Sequence, residues 1–180
     1  SYGYDSLNRK VLTTYADTTT VAYAYDKDDN LVTKTDQNGS VFTHSYDVLN
    51  RLVDTSVVSA NGLIGSNLWT YSYDGLSRRM SATDNNDPEL TIDDSTVEYR
   101  YNSLNYLLSE TNNGLAAQAT YDGLGNRQTL LYPDSRLLNY SYDDIYNLKA
   151  ISEGTDNIVQ YDYAGSRVLE RRYNNGTKLS

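Results

Sequence analysis

One complete hairpin can be read in the stretch Thr20-Val21-Ala22-Tyr23-Ala24-Tyr25-Asp26-Lys27-Asp28-Asp29-Asn30-Leu31-Val32-Thr33-Lys34-Thr35. Its first six residues alternate, so one face of the predicted strand carries the valine and both tyrosines. Asp26 can open a turn, because an aspartate at the first turn position accepts hydrogen bonds from backbone amides two residues on. Asn30 is predicted to close the loop in the left-handed conformation, and a return strand follows.

The same pattern recurs along the whole chain. A Tyr-x-Tyr-Asp tetrad followed by Asn or Gly returns at a period of roughly 21 residues, and the second tyrosine steps by 21, 21, 27, 28, 20, 21 and 21 residues. In the last copy Ala164 replaces the aspartate and Arg167 arrives one residue early. The repeat positions, to which we assign a structural role, are Tyr4, Asp5, Tyr25, Asp26, Tyr46, Asp47, Tyr73, Asp74, Tyr101, Tyr121, Asp122, Tyr142, Asp143 and Tyr163.

This spacing predicts one array of about eight repeats over residues 1–180, with insertions near 59–67 and 84–94. Sustained helical periodicity is absent, so the predicted fold class is all-β, with about sixteen strands as tandem antiparallel hairpins in a twisted, curved strip. The tyrosine rings are expected to stack in ladders between neighbouring hairpins. Return turns are predicted at Asn38-Gly39, Asn61-Gly62, Asn113-Gly114, Pro133-Asp134, Glu153-Gly154 and Asn175-Gly176.

Composition narrows the function. The chain has 19 Tyr against one Phe, one Trp, one Met and one His, which favours half-solvated sheets over a thick dry core. A formal net charge of -9 argues against nucleic acid as a partner. No apolar run is long enough for a membrane helix, so membrane insertion is not expected. The absence of cysteine excludes disulfides and thiolate chemistry.

The signature Tyr-Asp-x-x-Asn/Gly-Arg-Leu resembles the YD repeats of the RHS family. Its clearest copies are Tyr46-Asp47-Val48-Leu49-Asn50-Arg51-Leu52 and Tyr121-Asp122-Gly123-Leu124-Gly125-Asn126-Arg127. That family includes polymorphic toxins, the BC components of insecticidal toxin complexes, wall-associated proteins and teneurins. The resemblance implies a secreted or cell-surface β-shell, which encapsulates a toxin or presents a surface for adhesion. Because a residue needed for chemistry would be needed once and not in every repeat, a non-catalytic scaffold is predicted.

The resemblance also implies what this stretch does not include. Toxin-type shells end in a segment with Asp-Pro-x-Gly motifs, whereas the Asp-Pro here, Asp87-Pro88, is followed by Glu89-Leu90. Neither a self-cleavage nor a toxin domain is therefore expected, and eight repeats predict an open segment of shell wall. The expected partners are neighbouring repeats of a longer parent chain, further copies joined through open strand edges, and glycan or toxin cargo.

Three places in the sequence carry residues that could hold a chemical site. The sole histidine, His44, replaces a repeat tyrosine, so a strand position is favoured over a catalytic triad. Asp26–Asn30 resembles the start of a calcium loop, but Leu31 stands where that loop requires glycine. The acidic insertion with Asp84, Asp87, Asp93 and Asp94 is expected to be a solvated loop. We therefore predict no catalytic residues, metal or cofactor, and keep carbohydrate or cell-wall binding by exposed tyrosine faces as the alternative function.

Overall fold

The computed structural model describes residues 1–60, 65–85 and 94–179, and within these ranges every regular element is a β-strand. The described residues form seventeen strands, against about sixteen predicted from the sequence, because a short strand, Lys178–Leu179, follows the eighth hairpin. Their bounds are β1 Tyr2–Tyr4, β2 Lys10–Thr14, β3 Thr20–Tyr25, β4 Leu31–Thr35, β5 Val41–Tyr46, β6 Leu52–Val58, β7 Leu68–Tyr73, β8 Arg79–Asn85, β9 Ser95–Tyr101, β10 Leu107–Asn112, β11 Leu115–Tyr121, β12 Arg127–Leu131, β13 Leu137–Tyr142, β14 Leu148–Glu153, β15 Asp156–Ala164, β16 Arg167–Tyr173 and β17 Lys178–Leu179.

The strands pair in sequence order, which confirms the predicted all-β fold of tandem antiparallel hairpins. The chain forms two compact units, Ser1–Val97 and Glu98–Ser180. In the first unit each strand from β1 to β8 pairs antiparallel with the next. In the second unit the same holds from β10 to β17. No described helix is long and apolar enough to cross a membrane.

A β-bulge recurs beside the turn in the tyrosine-bearing hairpins. In the hairpin of β3 and β4, Ala24 pairs with Thr33 but Tyr25 pairs with Leu31, so Val32 is an extra residue on the return strand. A bulge of this kind bends the strand and increases its twist. The same register break occurs in the pairs β1–β2, β5–β6, β7–β8, β11–β12, β13–β14 and β15–β16.

Five residues form the turn of each regular repeat, and we call this segment the Tyr-Asp turn, with the aspartate at position 1. The residue at position 4 has a positive φ, as expected for a three-residue loop that ends in a left-handed residue. This corrects one prediction: the left-handed residue of the second repeat is Asp29, with φ 65°, whereas Asn30 follows it at position 5. The residues found at position 4 are Asn8, Asp29, Asn50, Ser77, Asn105, Gly125 and Tyr146.

The return turns between repeats are of two lengths. Asp36–Ser40 repeats the five-residue geometry, with Gly39 at φ 89°. Asn113-Gly114 forms a two-residue loop in which both φ values are positive, as in a type I′ turn. The predicted return at Asn61-Gly62 lies outside the described residues, as does most of the insertion at 84–94.

The interior of the sheets is thin. The buried apolar residues are Val21, Leu138, Ala150 and Val159, and no described side chain is less than 2% exposed. The first, second and fourth of these occupy one repeat position, four residues before the second tyrosine. A fold with so little buried apolar area needs other contacts between neighbouring repeats.

Candidate functional site

The aspartate at position 1 organises each Tyr-Asp turn. In the third repeat, Asp47 Oδ1 accepts hydrogen bonds from the backbone amides of Leu49 and Arg51, at 2.9 and 3.0 Å. Asp47 Oδ2 accepts a bond from Arg51 Nε at 2.7 Å, and the Asp47 amide donates to the Arg51 carbonyl at 2.9 Å. One carboxylate therefore holds both ends of a three-residue loop.

The turn hydrogen bonds act on the ionised form of this carboxyl group. At Asp47 the side chain of Arg51, followed by the Arg51 amide, lowers the pKa below its usual value of 3.8. At Asp74 and Asp143 burial acts to raise the pKa, but the bonds donated from position 5 outweigh it. The pKa is lowered in the same way at Asp5, Asp26 and Asp122.

In six repeats the second tyrosine makes a different contact, which reaches back to the preceding repeat. The Tyr46 hydroxyl donates to the Leu31 carbonyl at 3.0 Å. Leu31 follows position 5 of the preceding turn, and we call this residue position 6. The bonds of this kind run from Tyr25 to Lys10, Tyr46 to Leu31, Tyr73 to Leu52, Tyr121 to Leu107, Tyr142 to Arg127 and Tyr163 to Leu148, at 2.8–3.0 Å.

This hydroxyl bond lies where the backbone ladder between two repeats ends. Between β4 and β5 the last pair toward the turns is Thr33 with Thr43, three residues short of Tyr46. The tyrosine side chain extends the connection beyond that point. We call the bond the hydroxyl latch, and the contact between the return strand of one repeat and the first strand of the next the seam.

Position 5 also reaches across the seam, toward the next turn. Arg9 Nη1 donates to the Asp26 carbonyl at 2.9 Å and to Asp29 Oδ1 at 2.7 Å. The Arg9 guanidinium lies 4.9 Å from the Tyr25 ring centroid, within cation–π range. Arg51 repeats this arrangement with Tyr73 at 4.8 Å and with the Ser77 hydroxyl at position 4 of the next turn.

Other side chains fill the same place in other repeats. Asn30 Nδ2 donates to Asn50 Oδ1 at 2.9 Å, again from position 5 to position 4 of the next turn. In the fifth repeat position 5 is Tyr106, whose ring stacks on Tyr121 at 5.0 Å. Its hydroxyl lies against Gly125, where a Cβ atom would overlap it. Position 5 of one turn thus meets position 4 of the next across each of these seams, and in the Tyr106–Gly125 pair the large ring requires a residue without a side chain.

Stacking of tyrosine rings between neighbouring hairpins, which the sequence predicted, accounts for only part of the contact between repeats. Of the ring stacks among the described residues, two join tyrosines of one strand and one is the Tyr106–Tyr121 pair. Tyrosines meet the neighbouring repeat instead through their hydroxyl groups and through cations over their faces. Lys10 lies 4.9 Å from the Tyr23 ring centroid in the next repeat.

The predicted repeat positions all lie at the hairpin turns or directly before them. Each second tyrosine ends, or nearly ends, the first strand of its hairpin, and each aspartate follows as position 1. Tyr4, for which the chain supplies no preceding repeat, is 56% exposed. The structure adds positions 5 and 6, whose role the sequence analysis missed. The recurrence of Arg or Asn four residues after the aspartate was the available signal.

The rival chemical sites are dispersed. His44 lies on β5 opposite Thr55, with Nδ1 2.9 Å from the threonine hydroxyl. Burial, followed by the charge of Lys34, lowers the pKa of His44. A strand position in the repeat, as predicted, accounts for this residue.

Carboxylates likewise do not gather. Asp26 holds its own turn, Asp29 pairs with Arg9, and Asp28 lies 3.3 Å from Lys27. Asp84 does not lie in the solvated loop that was expected: it is a half-buried residue of β8 opposite Trp69, and it accepts hydrogen bonds from Ser66 and from the Ser95 amide. Asp87 and Asp93 lie outside the described residues. Across residues 1–60, 65–85 and 94–179 there is no group of three or more acidic or histidine side chains placed to hold a metal ion.

In comparison with known proteins, a repeat-family model matches part of the chain. The model of the RHS Repeat family matches residues 25–64, which include the second and third Tyr-Asp turns. No curated protein matches the sequence.

Several solved toxin-complex structures resemble the chain. The crystal structure of TcdB2-TccC3 is 14% identical with a TM-score of 0.36, and the Tc holotoxin pore of Photorhabdus luminescens is 13% identical with a TM-score of 0.37. Each match covers 96% of this chain and 12% of the other, so the chain spans about an eighth of the length of those structures.

Proposed function

We propose that this RHS/YD-repeat chain is a non-catalytic structural scaffold, a single repeat tract over 1–180 that forms wall in a larger shell. The shell would enclose a toxin or present a surface for adhesion outside the cell. The repeats supply the wall, and the adjoining parts of a longer chain, or further copies, supply its neighbours.

The observation that carries this proposal is where the recurring polar groups make their bonds. Tyr46 binds the preceding repeat, Arg51 binds the next, and Asp47 holds the loop between them. A group that performed catalysis would be needed once, whereas these contacts recur along the chain. Such repetition is typical of architectures in which each unit is stabilised by its neighbours.

Carbohydrate binding is the alternative, and the ring faces bear on it. Sugar sites stack the ligand on open aromatic faces, but Arg9 covers one face of Tyr25, Lys10 one of Tyr23 and Arg51 one of Tyr73. The rings that remain exposed are Tyr2 and Tyr4 of the first repeat, at 67% and 56%, and less regular positions such as Tyr146 at 60% and Tyr15 at 46%. This distribution favours the scaffold.

A binding experiment separates the scaffold from the glycan module. The labelled 180-residue chain is applied to a glycan array and to isolated cell walls, beside Tyr146→Ala and Tyr73→Ala. We expect no saturable binding for any of the three. Saturable binding that one substitution abolishes, with an unchanged circular dichroism spectrum, would establish a glycan site and overturn the proposal.

Enclosure requires the longer parent chain. In limited proteolysis of that chain, we expect the repeat tract to resist cleavage and an enclosed segment to become cleavable only after the tract is denatured. Cleavage of every non-repeat segment in the native protein would contradict enclosure and leave adhesion as the role of the wall.

A further inference from the structure

A cavity of about 560 Å³ opens on one face of β10, β11 and β12, within the second unit. Its walls are mostly apolar and include Leu108, Ala117, Ala119 and Leu130. Strand register explains their meeting: Ala119 pairs with Leu130, so both side chains lie on the same face of the sheet. The volume lies within the range of roughly 300–1,000 Å³ that is common for small-molecule sites.

The cavity lies where the sixth repeat departs from the others. Ala119 occupies the position of the first tyrosine in the Tyr-x-Tyr tetrad, which is an aromatic residue or His44 in the other repeats. Ala117, two residues earlier on the same face, stands where the other complete strands carry larger side chains. These larger residues are Val21, Phe42, Trp69, Val97, Leu138 and Val159. Two small side chains in succession therefore remove a ring and an apolar neighbour from the face.

A guanidinium group borders the same cavity. Arg127 stands at position 6, where Lys10 and Arg79 lie over the first tyrosine of their own repeats, at 6.0 Å from Tyr2 and 5.1 Å from Tyr71. In the sixth repeat alanine replaces that ring.

Arg127 instead contacts the rings of Tyr121 and Tyr140, at 6.0 and 5.7 Å. Within the described ranges no carboxylate forms an ion pair with it, although other arginines in the chain, such as Arg51 and Arg78, do have such partners. The guanidinium therefore provides a half-buried positive charge beside an apolar wall.

We propose that this cavity binds a small aromatic anion, whose ring takes the place of the missing tyrosine ring while its carboxylate pairs with Arg127. A carboxylate suits the planar guanidinium because two parallel hydrogen bonds can form. Glu110, which also borders the cavity, pairs with Ala117, four residues along β11 from Tyr121. Because Arg127 pairs with Tyr121, the backbone positions of Glu110 and Arg127 are offset by ~13 Å along the strands, at about 3.3 Å per residue. The ligand's anionic group is therefore directed toward Arg127.

The test uses 4-hydroxyphenylacetate as the probe and the 180-residue chain. Ligand-observed NMR and titration calorimetry should show saturable binding to the wild-type protein. Ala119→Tyr restores the residue of the other repeats, so it should fold normally and abolish binding. Gln118→Tyr, on the opposite face of the same strand, is the matched control and should bind like the wild type.

Two further measurements test the charge. Arg127→Gln should weaken binding by about tenfold or more, as expected for loss of a charge-assisted pair. The neutral analogue 4-methylphenol should bind the wild type with a similar loss. Undiminished binding by a folded Ala119→Tyr variant, an unchanged affinity in Arg127→Gln, or no binding of the probe to the wild type would each overturn the proposal. None of these results bears on the scaffold role, which depends on the seams.

Discussion

The third and eighth repeats close the hairpin after the second tyrosine with loops of different length. In the third repeat the loop after Asp47 has three residues. The Asp47 carboxylate accepts two hydrogen bonds from backbone amides and one from the Arg51 side chain. In the eighth repeat Ala164 pairs directly with Arg167, so the loop has only two residues, and Gly165 supplies a positive φ of 62°. A positive φ at the first loop residue alone is typical of a type II′ turn, which closes without a capping side chain.

What the eighth repeat keeps is as informative as what it loses. The Tyr163 hydroxyl still donates to the Leu148 carbonyl at 2.9 Å, and the bulge beside the turn remains. The aspartate and the tyrosine therefore serve different parts of the repeat, although they are adjacent in sequence. The aspartate belongs to the loop and can be dispensed with when the loop shortens, whereas the tyrosine belongs to the seam.

The largest effect is expected where a seam dictates a loop residue. Gly125→Ala places a methyl group at φ 91° and against the Tyr106 hydroxyl. We expect it to lower the free energy of unfolding by about 2–3 kcal/mol, from left-handed strain together with displacement of the ring. Chemical denaturation measures this loss.

The control for Gly125 is Gly39→Ala, which has nearly the same φ, 89°, but nothing within 4 Å of the added carbon. At that position we expect only the cost of the left-handed backbone conformation, which lowers the free energy of unfolding by about 1–2 kcal/mol. Equal losses in the two variants would show that Tyr106 does not constrain the loop, and that loop and seam are independent even in this repeat.

Substitution of the aspartate tests whether this residue serves the three-residue loop. Asp47→Ala should lower the melting temperature by several degrees, because it leaves the loop amides and the Arg51 side chain without their common acceptor. Ala164→Asp is the converse change, and it should bring no stabilisation, since the shorter loop offers no amide at the required spacing. A clear rise in melting temperature for Ala164→Asp would contradict the assignment of the aspartate to the longer loop.

Removal of the tyrosine hydroxyl tests whether the hydroxyl latch stabilises the seam independently of the loop. Tyr46→Phe and Tyr163→Phe should each cost about 0.5–1.5 kcal/mol, the usual net value of one hydrogen bond, despite their different loops. Tyr4→Phe should change nothing in this chain, because Tyr4 is exposed and has no preceding repeat to bind. Thermal melting of the three variants measures these changes in stability. If Tyr46→Phe were destabilising and Tyr163→Phe were not, the hydroxyl latch would depend on the aspartate that follows the tyrosine.

The sequence predicted the hairpins because the signals for them are local. Alternation around Tyr23 and Tyr25 identifies a strand, and Asp26 identifies a turn, without knowledge of any neighbour. The latch could not be predicted in this way, since its acceptor depends on the bulge at Val32, which shifts the register. Asn30 was misplaced because asparagine suits both a left-handed loop residue and a donor to Asp26.

The smallest expected effect is the loss of stability at low pH, to which the aspartates of several Tyr-Asp turns each contribute a little. The aspartates at position 1 of the Tyr-Asp turns, such as Asp47 and Asp122, have folded-state pKa values below the ordinary 3.8, because the side chain at position 5 and the loop amides donate hydrogen bonds to the carboxylate. Near pH 3–4 the unfolded chain therefore binds more protons than the folded one, so these contributions are complete above 3.8 and are lost as the pH falls through the folded-state pKa values. Denaturation midpoints should be flat from pH 7 to about 5 and then decline. Asp47→Asn should make that decline shallower, whereas Asp144→Asn, the same chemical change at an exposed position of the seventh turn, should leave its slope unaltered. Equal slopes for all three proteins would mean that the loop carboxylates do not stabilise the fold through their charge.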